Sequence, residues 1–373
     1  MGQNKKVLFL YTNPHSGHHK AAQAISEALL LHAPNVEIMN IEALKFSYPH
    51  LQKVIHKTCI VIATKLSRFY DFLWDNVNIE RRIRKFKEII NKNSLDKFEK
   101  LFVSFPTKVA VCTQALPCGF LSTLKQKKNF SFKLIAVITD YDVHTYWIYK
   151  EVDIYCVATK AMKEKLIQRG IAEEKIKIIG IPVNSQFTQP ANRQELRKKF
   201  GIKDKSFCVL IMGGSYGIGP LNRIITDIDR IKKDITMIIV AGKNQKLYKK
   251  IYKILGKTKK SIKLFGYTNH IAQLMSISDL LITKPGGLTI SEALCFGLPM
   301  IITKGVRGQE SGNFKYLLDK GAAVAAAKPK DIVPELTKLI NNNSSLKIMQ
   351  NNALKIAKPN SAEEISKLIT NYL

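Results

Sequence analysis

The sequence predicts an α/β protein built on parallel, doubly wound sheets. Three observations predict it: short, fully apolar runs recur along the 373 residues, helical stretches separate them, and turns rich in glycine or histidine follow several of the runs. A run that is apolar at every position is buried on both faces, the mark of a strand inside a parallel sheet.

Val7-Leu-Phe-Leu-Tyr11 is the first such strand, and Lys20 to Leu31 places Ala21, Ala22, Ile25 and Leu29 at helical spacing. Further strands are expected at Val109–Cys112, Leu134–Ile138, Ile154–Ala158 and Lys177–Ile179. The polar, proline-bounded stretch from Ile181 to Pro190 reads as a linker. The same grammar then restarts, with strands expected at Cys208–Met212, Thr236–Ala241, Ile262–Phe265, Leu280–Thr283 and Met300–Thr303. Two Rossmann-like domains facing a cleft, residues 1–187 and 188–373, are the simplest architecture, with the last helix, Ser361 to Leu373, free to pack back on the N-terminal domain.

Hydrophobic residues make up 46% of the chain, which excludes a disordered protein. No apolar run approaches the roughly 20 residues that cross a bilayer. Met1-Gly-Gln-Asn-Lys-Lys leads straight into a strand without a signal-peptide core, so a cytosolic protein is expected. The six cysteines are scattered, without a Cys-x-x-Cys pair, and read as small core residues. Against 29 acidic residues stand 59 Lys and Arg, a net charge of +30 that attracts polyanions: nucleic acid or an anionic membrane. A composition generally rich in Lys, Ile and Asn gives the same figure without any partner.

Four stretches carry residue types with chemistry to offer. Lys284-Pro-Gly-Gly-Leu-Thr-Ile-Ser-Glu292 lies between two strands and presents backbone N–H groups and a helix N-terminus above the sheet, as phosphate sites do. Within it, Thr289-x-x-Glu292 also fits a capping box, in which the glutamate only satisfies a free N–H. Gly213-Gly-Ser-Tyr-Gly-Ile-Gly219 is a second glycine turn after a strand, without a Walker lysine. Thr12-Asn-Pro-His-Ser-Gly-His18-His-Lys ends the first strand, where a helix N-terminus keeps His18 neutral and able to act as a base. A solvated turn histidine and a metal cluster of His15, His18 and His19 are the competing readings. Finally, Thr139-Asp140-Tyr-Asp142-Val-His144-Thr-Tyr-Trp147 follows another strand. There Asp140 could activate a hydroxyl or merely cap a helix, and His144 with Trp147 could line an acceptor pocket.

Taken in order, Ser16-Gly-His18-x-x-Ala-Ala22, Thr139-Asp-Tyr-x-x-His144-x-x-Trp147, Gly213-Gly-Ser215, Lys284-Pro-Gly-Gly-x-Thr-x-Ser-Glu292-Ala and Gly308-Gln-Glu-Ser-Gly-Asn313 resemble the monogalactosyldiacylglycerol synthase and processive diacylglycerol glucosyltransferase family, over residues 5 to 325. The resemblance implies a GT-B fold and an inverting hexose transfer from UDP-glucose or UDP-galactose to diacylglycerol or a related lipid, with no metal and no cofactor beyond the donor. By the same resemblance Gly213, Gly214 and Ser215 meet the diphosphate, beside Lys284 and Thr289, and Gly286 and Gly287 support it. Glu292 binds the ribose, and Gln309, Glu310 and Asn313 lie at the hexose. His18 is the base or positions the acceptor, assisted by Asp140 and His144. Asn13-Pro-His-Ser-Gly17 departs from the glycine-rich run that relatives often carry there.

A bilayer-resident acceptor requires docking on the inner face of the cell membrane. Tyr48 to Trp74 is rich in apolar and aromatic residues, among them Phe69, Tyr70 and Trp74, with interspersed bases, and Arg81-Arg82-Ile-Arg-Lys-Phe-Lys87 follows. This composition suits an interfacial helix, or else a core helix with a basic outer face. The lysine-rich run from Lys246 to Lys263 reads as a solvated face. Two rivals stand beside the transferase: a UDP-sugar epimerase on the same fold, and a basic nucleic-acid-binding protein, for which no recognised motif is present.

Overall fold

The computed structural model describes residues 5–14, 16–49, 95–189, 191–214, 217, 221–303 and 310–373. The segment 50–94, with Phe69, Tyr70, Trp74, Arg81 and Arg82, lies outside the described residues, as do Ser215 and Gln309. The chain forms two compact units: Met1–Ser185 with Val306–Gly312 and Lys358–Leu373, and Gln186–Gly305 with Asn313–Ala357.

The first unit holds strands β1 (Lys6–Tyr11), β2 (Glu37–Glu42), β3 (Val109–Cys112), β4 (Lys133–Val137), β5 (Ile154–Val157) and β6 (Ile176–Ile178). They form one parallel sheet in the order β2-β1-β3-β4-β5-β6. One core layer alternates along the strands through Val7, Phe9, Val109, Val111, Ile135 and Val137. Ile25 and Leu29 cover it from the helix Gly17–His32, joined by Ile365 and Ile369 from the last helix, Ser361–Thr370. The returning chain passes close beside Gly180, whose φ is +118° and where a Cβ would lie 2.6 Å from Lys358 Cβ, so only glycine fits. The Ser361 hydroxyl then donates to Ile181 O at 2.7 Å.

The second unit repeats the plan with β7 (Phe207–Met212), β8 (Ile235–Val240), β9 (Ser261–Phe265), β10 (Leu280–Thr283), β11 (Met300–Thr303) and β12 (Ala323–Ala326). Its parallel order is β12-β11-β10-β7-β8-β9. Val209, Ile211, Met237, Ile239, Leu280 and Ile282 pack with Ile224, Ile225, Ile228, Leu336 and Leu339 from the covering helices.

The strands expected from sequence are all present, shifted by at most one residue at either end. Two were not foreseen. β2 carries Glu37, Asn40 and Glu42 at the sheet edge, and β12 reads Ala-Val-Ala-Ala, so neither shows a bulky apolar run. The helix after β10 is Gly287–Cys295 with Gly286 as its N-cap, so it starts two residues before Thr289, the residue a capping box would put at the N-cap. That start overturns the capping-box reading, because Thr289 sits at the third helical position and Glu292 in the second turn. Cys112, Cys118, Cys156 and Cys208 are buried and free, and burial pushes the thiols of Cys156 and Cys208 up to about 12 and about 11.

A buried arginine locks the second sheet from below. Arg197, 5% exposed, donates to Asp204 O at 2.7 Å, Ser206 O at 3.2 Å, Ile277 O at 3.2 Å and Asp279 Oδ2 at 2.9 Å. Asp279, just before β10, also accepts from Cys208 N at 2.7 Å and from the more exposed Arg193 at 2.5 Å. The amino ends of β7 and β10 are thereby fixed to each other. Arg197→Ala is expected to cost about 3–5 kcal/mol, because the carbonyls of Asp204, Ser206 and Ile277 lose their buried charged donor as the pair with Asp279 breaks, whereas Arg193→Ala should cost about 1 kcal/mol. Urea unfolding followed by circular dichroism measures both, and equal losses would refute this ranking.

Candidate active site

In each sheet the strand order reverses direction once, at β1/β3 in the first and at β7/β10 in the second. At such a pair the connections leave toward opposite faces, so the loops beyond the carboxyl ends diverge and leave a crevice. The four polar stretches read from sequence follow β1 and β4 in one unit and β7 and β10 in the other, all at carboxyl ends and three of them at the switch pairs.

His18 lies in the first turn of the helix Gly17–His32, which Ser16 caps by accepting from His19 N at 3.3 Å. Its Nδ1 is 2.9 Å from Thr113 O, beyond β3, and 2.7 Å from Thr139 Oγ1, beyond β4. A carbonyl oxygen only accepts, so the bond to Thr113 requires Nδ1–H and leaves the lone pair on Nε2. The Thr113 hydroxyl donates back to His18 O at 2.9 Å, so ring and backbone are held by one residue. Burial outweighs the Thr113 bond and lowers the imidazole pKa to about 4, in the sense the helix dipole also favours.

Beyond β4, Asp140 lies in an irregular loop, and the short 3₁₀ turn that follows, Thr145–Trp147, has His144 at its N-cap, so Asp140 does not cap it. Asp142 accepts from Val143 N and from Lys165 Nζ, both at 2.8 Å. Trp147 is 3% exposed, with its ring 6.5 Å from that of His144, and supports the loop from within the core. Thr113 was not singled out from sequence, and Thr139 entered only as the first residue of its stretch, without a role. A threonine after a strand is too ordinary a signal, and only the sheet order shows that β3 and β4 end beside His18.

In the second unit, Met212 pairs with Thr283, which places the turns after β7 and β10 side by side. Gly214, with φ +71°, lies against Lys284: a Cβ there would be 3.2 Å from Lys284 Cε. Gly213 is buried, and Gly286 and Gly287 open the helix whose first N–H groups project from the sheet edge. The buried Asn313 braces this turn by donating to Pro285 O at 2.9 Å. Glu310 is buried, whereas Thr289 and Glu292 are partly exposed on the helix, and the Glu292 carboxylate adds to burial in raising the Cys295 thiol to about 12. Thr283, also missed from sequence, is 2% exposed, and its hydroxyl finds no partner among the described residues. An orphaned hydroxyl at a strand's carboxyl end is the kind of group a ligand satisfies.

Two doubly wound parallel sheets, each with polar loops at its own switch point, define a GT-B-type protein. MurG of Acinetobacter baumannii shares this fold with a TM-score of 0.69 at 16% identity, covering 98% of this chain and 99% of that one. HepE of Anabaena, solved in complex with UDP-glucose, does so with a TM-score of 0.58 at 14% identity, over 99% and 100% of the two chains. Residues 18–183 match the monogalactosyldiacylglycerol synthase family model, and residues 147–370 match that of UDP-N-acetylglucosamine 2-epimerase. The processive diacylglycerol beta-glucosyltransferase of Bacillus pumilus is 27% identical over 379 residues, spanning 100% of this chain and 98% of that protein. The chain belongs to the monogalactosyldiacylglycerol synthase and processive diacylglycerol glucosyltransferase family, and its later part, residues 147–370, belongs as well to the UDP-N-acetylglucosamine 2-epimerase domain family.

The lowered pKa sets a pH dependence. The unfolded chain protonates His18 near 6.5 and the folded protein only near 4, so stability falls as pH drops from 6.5 toward 4 and this contribution is constant below. In histidine-labelled protein, the NMR resonance lost in His18→Gln should titrate near pH 4. A midpoint near 6.5 would contradict the desolvated, carbonyl-bonded imidazole.

Proposed function

We propose that the chain is an inverting transferase that moves a hexose from a UDP-sugar to the hydroxyl of diacylglycerol or a related membrane lipid. The observation that carries this reading is the held, neutral imidazole of His18 in a chain similar over its whole length to a diacylglycerol glucosyltransferase. His18 Nε2 takes the proton of the acceptor hydroxyl as that oxygen attacks the anomeric carbon. The bond to UDP breaks in the same displacement, and UDP leaves with the electron pair. A pKa near 4 keeps the base ready at every physiological pH, and the charge of a bound diphosphate would raise it toward the working range.

On the donor side, the Gly213–Gly214 turn and the helix N-terminus that opens at Gly287 offer backbone N–H groups to the diphosphate, where leaving-group charge develops, while Gly286, its own N–H bonded to Lys284 O at 2.8 Å, caps that helix. Lys284, Thr289, Glu292, Glu310 and Asn313 join this assignment, with Ser215 and Gln309 from outside the described residues. Lys284 supplies a fixed cation beside the Gly214 turn, a role that elsewhere a metal can fill, so the reaction is proposed to need none. The enzyme works on the cytoplasmic face of a membrane; no helix among the described residues is long and apolar enough to cross one.

One observation favours a second reading, a UDP-sugar epimerase: the match of residues 147–370 to that family model. Purified protein incubated with UDP-glucose or UDP-galactose and diacylglycerol vesicles should yield a lipid heavier by one or more hexoses, with undiminished rate in EDTA. An epimerised donor without any lipid product would overturn the transferase. His18→Ala should lower kcat by about 10²- to 10⁴-fold while UDP binding by calorimetry persists. Near-normal turnover in that variant would remove His18 from the mechanism. Thr139→Val, which strips one partner from Nδ1 and keeps the Thr113 bond, should cost about tenfold or less in kcat with KM for the donor unchanged.

A further inference from the structure

From Lys243 to Lys263 the second unit carries nine lysines and not one carboxylate. We infer that this face, formed by the helix Gln245–Tyr252 and the segment running into β9, docks on an anionic phospholipid surface. The choice of partner rests on the lipid acceptor proposed above.

The helix is organised for such a contact. Leu247 and Ile251, four residues apart, are buried and hold it on the sheet. Lys246, Lys249, Lys250 and Lys253 follow the spacing i, i+3, i+4, i+7 and so share one outward stripe. Tyr248 and Tyr252 flank that stripe with their rings 6.4 Å apart and nearly parallel, Tyr252 being 64% exposed. Farther along, Lys243 Nζ stands 5.2 Å over the ring of Tyr267, 41% exposed. Amphipathic phenols beside ammonium groups are the side chains that settle at a headgroup layer.

Among the described residues the charge is uncompensated. Elsewhere lysines find carboxylates: Lys125 meets Asp153 at 2.5 Å, Lys165 meets Asp142 at 2.8 Å, and Lys338 meets Glu335 at 2.8 Å. None of the nine forms an ion pair among the described residues. The carboxylate nearest in the hydrogen-bond pattern, Asp229, is engaged by the backbone N–H groups of Lys259 and Lys260 at 2.8 and 2.9 Å, not by their ammonium groups. Lys260 Nζ instead donates to the carbonyl of Lys233, itself beside Lys232, so the neighbouring turn enlarges the basic area. Four like charges within two helical turns repel one another, and an external layer of phosphates relieves that repulsion. A single-stranded nucleic acid would also be attracted, but it gains its affinity by stacking bases on open aromatic faces. Here the two helix tyrosines turn their faces toward each other.

Sedimentation of the full chain with vesicles tests this, using phosphatidylcholine alone and phosphatidylcholine with about a quarter phosphatidylglycerol. The vesicles contain neither diacylglycerol nor UDP-sugar, so the measurement stands even if the proposed transfer fails. Combined Lys246→Ala, Lys249→Ala, Lys250→Ala and Lys253→Ala should weaken binding to the anionic vesicles at least about tenfold. A variant with the same charge loss at the exposed Lys198, Lys199, Lys203 and Lys205 should stay within about twofold of the parent. Unchanged circular dichroism and UDP binding confirm that both variants are folded. Equal weakening in the two would reduce the effect to net charge and overturn the proposal. Loss of binding to a short single-stranded RNA, with vesicle binding intact in the first variant, would assign the face to nucleic acid instead.

Discussion

The arrangement depends on two parallel strand pairs, β1/β3 and β7/β10, from which each sheet grows in opposite directions. Parallel pairing fixes where both strands of a pair end, and the opposed connections keep their loops from covering each other. The first pair brings the Thr113 carbonyl under the imidazole of His18. At the second, Gly214 comes against Lys284. On its far side Asp279 bonds Cys208 N and the buried Arg197, so register at the amino end and loop position at the carboxyl end are set together. The placing of loops at one edge of a sheet thus relies on an ion pair at the other.

Much of this was legible from residues alone because strands buried on both faces must be apolar throughout. Runs such as Val109–Cys112 and Leu280–Thr283 have no other use in a globular chain. The strands that escaped notice lie at sheet edges, where one face is wet and short or polar side chains serve. The candidate-site residues follow the same division. Histidine and paired glycines announce themselves after a strand, whereas Thr113, Thr139 and Thr283 gain meaning only from which strands are neighbours. The pattern Thr289-x-x-Glu292 misled for a related reason: local spacing cannot tell the first helical turn from the second, and Gly286 had already taken the cap.

Electrostatics divides the molecule between groups that are matched internally and groups that are not. Arg197, Asp279, Lys125 and Asp153 satisfy one another at the ends of strands and hold the fold. The lysines of the helix Gln245–Tyr252 form no ion pair among the described residues, and an unusually high net charge alone does not distinguish such a cluster from an evenly scattered one. His18 belongs to neither group, since its surroundings keep it uncharged.

The closing helix Ser361–Thr370 completes the layer that begins with Ile25 and Leu29, near the opposite terminus. During synthesis, therefore, the earlier sheet waits with one flank unsealed while the later one, whose last segment ends at Ala357, already has all its parts. The order of maturation on the ribosome would then run against the order of translation, and a chain broken off before the helix Ser361–Thr370 would leave its first-made half the one exposed to aggregation.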